Sequence, residues 1–145
     1  IRLSLVGSEM CIRDRIMDIS TPYASQLKLI DLIIVESSFS RSEKDIQNAV
    51  LKIEIEKDIQ KQPENQYEIT LAVRLKEKND QINVYVKSKA HFITQQENTH
   101  LIEKNTIAIM FPYIRSHIST ITSQPGMMPI VLPPINIAAM LKDNT

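Results

Sequence analysis

Glycine is almost missing from this chain: two residues in 145, Gly7 and Gly126. A dinucleotide-binding or phosphate-cradling loop needs several closely spaced glycines, so both motifs are excluded. The single cysteine, Cys11, rules out an internal disulfide framework and a cysteine zinc site. Tryptophan is absent, and aromatic residues make up only 5%. Charge of one sign is lacking too, because 17 basic and 17 acidic residues cancel to +0. An overall basic footprint for nucleic acid is therefore missing. At 23% charged the chain is too polar to span a membrane, and at 43% hydrophobic it is too apolar to stay disordered.

What is present is isoleucine, at 23 of 145 positions, which favours strands and a substantial core. Residues 1–15, IRLSLVGSEMCIRDR, follow no helical or strand period and lack the apolar run of a signal peptide. SLVGSEMCIRDR resembles the translation of a sequencing adapter. Residues 1–15 are accordingly expected to be an artefactual leader, with one domain over 17–145 starting at Met17. Beyond residue 15 there is no cysteine, which is compatible with a reducing cytoplasm.

Four segments read as strands. Leu27 to Phe39 is an apolar, β-branched run. Leu51 to Ile59 alternates, with Leu51, Ile53 and Ile55 on one face and Lys52, Glu54 and Glu56 on the other. Tyr67 to Leu75 alternates again, turning Tyr67, Ile69, Leu71, Val73 and Leu75 inward. Ile82 to Ile93 follows a turn with Asn79-Asp80, and points Ile82, Val84 and Val86 the same way. The last three form an antiparallel meander with one apolar and one wet face.

The period then changes to 3.6. Asn98 or Thr99 caps a helix, with Glu103 expected in its first turn. Ile107, Met110, Phe111, Ile114, Ile118 and Ile121 mark its apolar stripe. Ile107 to Phe111 is apolar on every side, which asks for a second partner beyond the sheet. In so short a chain another copy is the nearest candidate, so these six residues are expected at an oligomer interface. Pro112 is expected to kink the helix, and Gln124-Pro125-Gly126 to end it. Met127 to Ile135 carries Pro129, Pro133 and Pro134, so it is neither helix nor central strand. It is an apolar loop, and an apolar surface loop is covered by something or binds something. Asn136 caps a last short helix, Ile137 to Leu141.

Candidate chemistry is thin. His91, His100 and His117 match no zinc spacing, no G-x-S-x-G elbow exists, and Glu54 and Glu56 read as charges on a solvated face. Lys87 and Lys89 read as a solvated or edge-protecting pair. No catalytic residue, metal site or cofactor is expected. The feature above background is the flexible apolar inventory of Met127, Met128, Ile130, Val131 and Leu132, beside Met140 and Leu141.

Thr106 to Leu141 resembles the C-terminal half of the SecB protein-export chaperone family. Phe111-Pro112-Tyr113 matches its helical step, Gly126 its turn, and Pro134 with Asn136 its entry into the last helix. Tyr67-Glu68-Ile69 and Lys89-Ala90-His91-Phe92 match its strands, and Phe39 after Glu36 fits the end of its first. The resemblance implies an α+β fold. Its parts are a four-stranded antiparallel sheet and, on one side, a long kinked helix with a short C-terminal helix. It implies a cytoplasmic, non-enzymatic, ATP-independent holdase assembled as a homotetramer, a dimer of dimers. Such a chaperone binds non-native polypeptides in apolar grooves and passes them to the SecA motor, without nucleic acid or membrane insertion. The expected client-binding residues are Phe39, Leu51, Ile53, Ile55, Met127, Met128, Ile130, Leu132, Ile137, Met140 and Leu141. Glu36 matches one acid of the motor-docking patch, but Ser40, Asn83 and Tyr85 depart from the family pattern there. Some relatives serve toxin–antitoxin pairs, which gives a second role. A small-molecule-binding or hydrolytic domain with a hot-dog-like fold is an alternative of another class.

Overall fold

The computed structural model describes residues 26–46 and 48–143, so the leader expected at 1–15 and the start at Met17 lie outside the described residues. Four strands, β1 (Lys28–Arg41), β2 (Leu51–Gln62), β3 (Gln66–Glu77) and β4 (Ile82–Ile93), are followed by α1 (Thr99–Ile121) and α2 (Ile137–Asp143). All strand pairs are antiparallel, in the order β1-β4-β3-β2. The meander β2-β3-β4 is as expected. β1, linked to β2 by the long connection 42–50, returns beside β4, which makes a Greek key.

The meander turns take a left-handed backbone, which Asn65 and Asp80 tolerate readily. Glu64 and Asn65 have φ of 65° and 60° in one turn, and Asp80 has 58° in the next. Glu77 closes the second turn by accepting from the N–H groups of Asn79 (2.7 Å) and Gln81 (3.1 Å). β1 contains two irregularities, where Ile30 and Val35 have no partner in the register with β4. After each inserted residue the core-facing alternation resumes, with Leu32 opposite Ala90 after the first and Phe39 opposite Val84 after the second.

The alternation in the sequence maps onto the core. Tyr67, Ile69, Leu71, Val73 and Leu75 of β3 are buried with Ile82, Val84, Val86, Ala90 and Phe92 of β4. Above them α1 lays Ile102, Ile107, Met110, Phe111, Ile114 and Ile118 against β4, β3 and β1. This corrects the interface expectation. Five of its six residues, Ile107, Met110, Phe111, Ile114 and Ile118, have essentially no surface left in the single chain, and only Ile121 is half-buried. The sheet, together with Leu132 and Leu141 in the same core, covers that stripe within one chain. The residues that made the helix look apolar on every side, Ala108 and Ile109, are a small exposed side chain and a half-buried one.

α1 is a single helix carrying Pro112 on its exposed side. Asn98 caps it, its side chain accepting from the N–H groups of His100 and Leu101. Glu103 lies beyond the first turn and instead pairs with Lys57 of β2, an inward-facing charge on an edge strand. The helix ends at Ile121, earlier than Gln124-Pro125-Gly126, because Thr122 takes up a terminal position and bonds back to Ile118. Asn136 caps α2 through the N–H of Ala139, 3.0 Å away.

Candidate functional site

The apolar segment from Met127 to Ile135 has no regular structure, as three prolines require. It passes the end of α1, where Ile130 hydrogen-bonds to Ser119 and Thr122. Burial along it follows no strict period. Met128 is 85% exposed and Val131 71%, whereas Leu132 is 4% exposed and belongs to the core. Met127, Ile130 and Ile135 are half-buried against that core. α2 then returns onto α1, burying Leu141 and half-burying Ile137 and Met140.

The apolar face of β2 is the other part of the expected site. Leu51, Ile53, Ile55 and Ile59 are half-buried, since α1 lies over the other three strands. Phe39 near the end of β1 is half-buried too. The structure therefore gathers Phe39, Leu51, Ile53, Ile55, Met127, Ile130, Ile137 and Met140 as partly open residues around one core. It separates the remaining three expected client-binding residues. Leu132 and Leu141 are core and unavailable, and Met128 stands free in solvent. Val131, left out of the expected set, is nearly as exposed as Met128. Its place in the alternation between Ile130 and Leu132 was the signal for it.

The opposite face of the sheet is ionic. In register, Lys28, Lys52, Arg74, Lys76, Lys87 and Lys89 share it with Asp31, Glu36, Glu54, Glu56, Asp58 and Glu68, six charges of each sign. Glu36 lies opposite Lys87. Lys89 pairs with Glu68 at 3.7 Å, and the Arg74 guanidinium sits 4.5 Å above the Tyr85 ring. Because β4 is a central strand, Lys87 and Lys89 do not protect an edge.

His91 lies between two carboxylates. Its Nδ1 is 2.7 Å from Asp31 of β1, and its Nε2 is 3.1 Å from Glu68 of β3. The hydrogen bond to Asp31 raises its pKa, burial opposes the rise, and Glu68 adds to it. His117 has its Nε2 shielded from solvent without a hydrogen-bond partner among the described residues. No group of three histidine, cysteine or acidic residues among those described could hold a metal ion. No described helix is long and apolar enough to cross a membrane.

Comparison with known proteins decides the family. The model of "Preprotein translocase subunit SecB" matches residues 24–145. The chain belongs to the SecB family. An uncharacterized protein of Methanocaldococcus jannaschii, MJ0357, is 54% identical to this SecB-family chain over 39 residues. That match takes in 27% of this chain, which spans only a quarter of the length of that curated relative. Among solved structures, the Mycobacterium tuberculosis Rv1957 SecB-like chaperone, in complex with a ChAD peptide from the Rv1956 HigA1 antitoxin, superimposes with a TM-score of 0.65. Identity there is 15%, over 76% of this chain and 90% of that one. A protein of unknown function from Streptococcus agalactiae gives a TM-score of 0.41 at 9% identity, over 74% of this chain and 97% of that one. The fold is thus SecB-like: a four-stranded antiparallel sheet, a long helix and a short C-terminal helix. The hot-dog-like alternative does not survive it.

Proposed function

We propose that this SecB-family chain is an ATP-independent holdase that captures non-native polypeptides. The observation that carries the reading is the segment from Met127 to Ile135, which keeps Met128 and Val131 in solvent although the fold has a core to hide them in. Exposed flexible apolar side chains beside a half-open apolar face suit many client sequences. Phe39, Leu51, Ile53, Ile55, Met127, Ile130, Ile137 and Met140 border that face, with Met128 and Val131 reaching out from it. The protein works in the cytoplasm as a homotetramer, and several weak sites on one particle raise avidity. It carries out no chemistry.

Handover to SecA receives less support. The docking surface implied by the family resemblance is acidic, and here the wet face of the sheet is neutralised charge for charge, Glu36 opposite Lys87 included. A dedicated role with a toxin–antitoxin pair is the second reading, favoured by the antitoxin peptide bound to the structurally similar mycobacterial chaperone. Aggregation of a chemically denatured protein, diluted into a few-fold molar excess of the chaperone without nucleotide, tests the main reading. Suppressed light scattering is expected. Unchanged scattering rejects general capture, and binding confined to an antitoxin encoded beside the chaperone gene supports the second reading.

A further inference from the structure

Two hydroxyls, Ser119 in the last turn of α1 and Thr122 just past its end, hold the backbone of the exposed apolar segment. Ser119 Oγ donates to the carbonyl oxygen of Ile130 at 2.9 Å. The Ile130 N–H donates to Thr122 Oγ1 at 2.8 Å. Thr122 spends its own proton on the Ile118 carbonyl, 2.7 Å away, so its oxygen is left to accept. Ser119 and Thr122 stand three positions apart on one face of the helix end, and Thr122 is fully buried. One residue thus has both backbone groups met from the same side, as a neighbouring strand would meet them. From Met128 to Ile135, Ile130 is the one residue that hydrogen-bonds to any described residue.

We infer that Ser119 and Thr122 are positioning residues for client binding: their clamp on Ile130 fixes which side chains of the segment face outward. The clamped residue lies two positions before Leu132, so a slip of one residue at the clamp would move Leu132 out of its place in the core. A slip one way sets Pro129 at the clamp, and proline has no N–H for Thr122 to accept. A slip the other way sets Val131 there and pulls Leu132 out of the core. The clamp therefore selects one register, the one that presents Met128 and Val131. This inference rests on the holdase reading for its consequence, though not for its geometry.

The test uses the full chain and a reduced, carboxymethylated protein that stays unfolded as the client. Ser119→Ala with Thr122→Val removes both hydroxyls at nearly constant shape, and Ser119→Thr with Thr122→Ser keeps them. The hydroxyl-free pair is expected to bind roughly tenfold more weakly, and the hydroxyl-bearing pair to bind like the wild type. Amide exchange at Ile130 should quicken in the first pair alone, with the far-UV spectrum unchanged. If that pair fails to fold, Ser119→Ala alone should show the same trend in smaller measure. Wild-type affinity in a folded variant with a freed Ile130 amide would overturn the inference. Absence of client binding by the wild type would overturn the holdase reading, and the exchange rates would still decide whether the clamp sets the register.

Discussion

Met128 and Leu132 are four positions apart, similar in size, and opposite in what they do. Leu132 fills the core, so Leu132→Ala leaves a cavity and is expected to cost about 2–5 kcal/mol. Leu132→Asp would bury a carboxylate among apolar groups and is expected to unfold the chain. Met128→Asp touches nothing buried and should stay within about 0.5 kcal/mol of the wild type in urea unfolding, while weakening client binding several-fold. Equal unfolding midpoints for Leu132→Ala and Met128→Asp would contradict this division. The sequence made it legible that some of these residues must turn outward, because three prolines hold the segment extended. Which ones turn depends on where the clamp grips, and a serine and a threonine near a helix end carry no sign of that in the sequence alone.

At the scale of elements, β2, β3 and β4 were legible because their period-2 alternation has a single physical cause, one buried face. The place of β1 was not, since nothing in a continuous apolar run tells which edge it joins. That placement brings Asp31 to His91 and makes the bridge across β1, β4 and β3. A neutral imidazole donates from one nitrogen only, so both contacts are favourable together only in the protonated ring. The folded pKa is raised, so this contribution to stability is complete below the unfolded value of about 6.5 and fades as pH climbs through the raised folded value. The ring is about one third exposed, which keeps the effect small. The urea midpoint of the wild type should fall between pH 6 and pH 8.5, and that of His91→Gln should fall less. Parallel pH profiles would show that the bridge contributes nothing. The helix was legible in its period but not in its partner: six apolar positions asked for cover, and the rest of the same chain supplied it for five.

For the whole molecule, α1 can offer another copy only the residues that the core leaves open. Ile114 faces the core, so Ile114→Asp is expected to unfold the protein rather than dissociate it. Tyr113, next to it and 51% exposed, points away from the sheet along with Leu101. If copies meet on α1, Tyr113→Asp should lower the mass measured by light scattering and leave the spectrum folded. An unchanged mass would show that copies do not meet on α1. The Greek key has a further consequence, one of timing. β1 is made before the other strands, but its only partner in the sheet is β4, and Ile93 lies 52 positions after Arg41. At a ribosome's pace of about 5–20 residues per second, that strand waits for roughly 3–10 seconds with its backbone unpaired. During that interval the nascent chain displays an extended, isoleucine-rich stretch of the kind that the finished protein is proposed to capture in others.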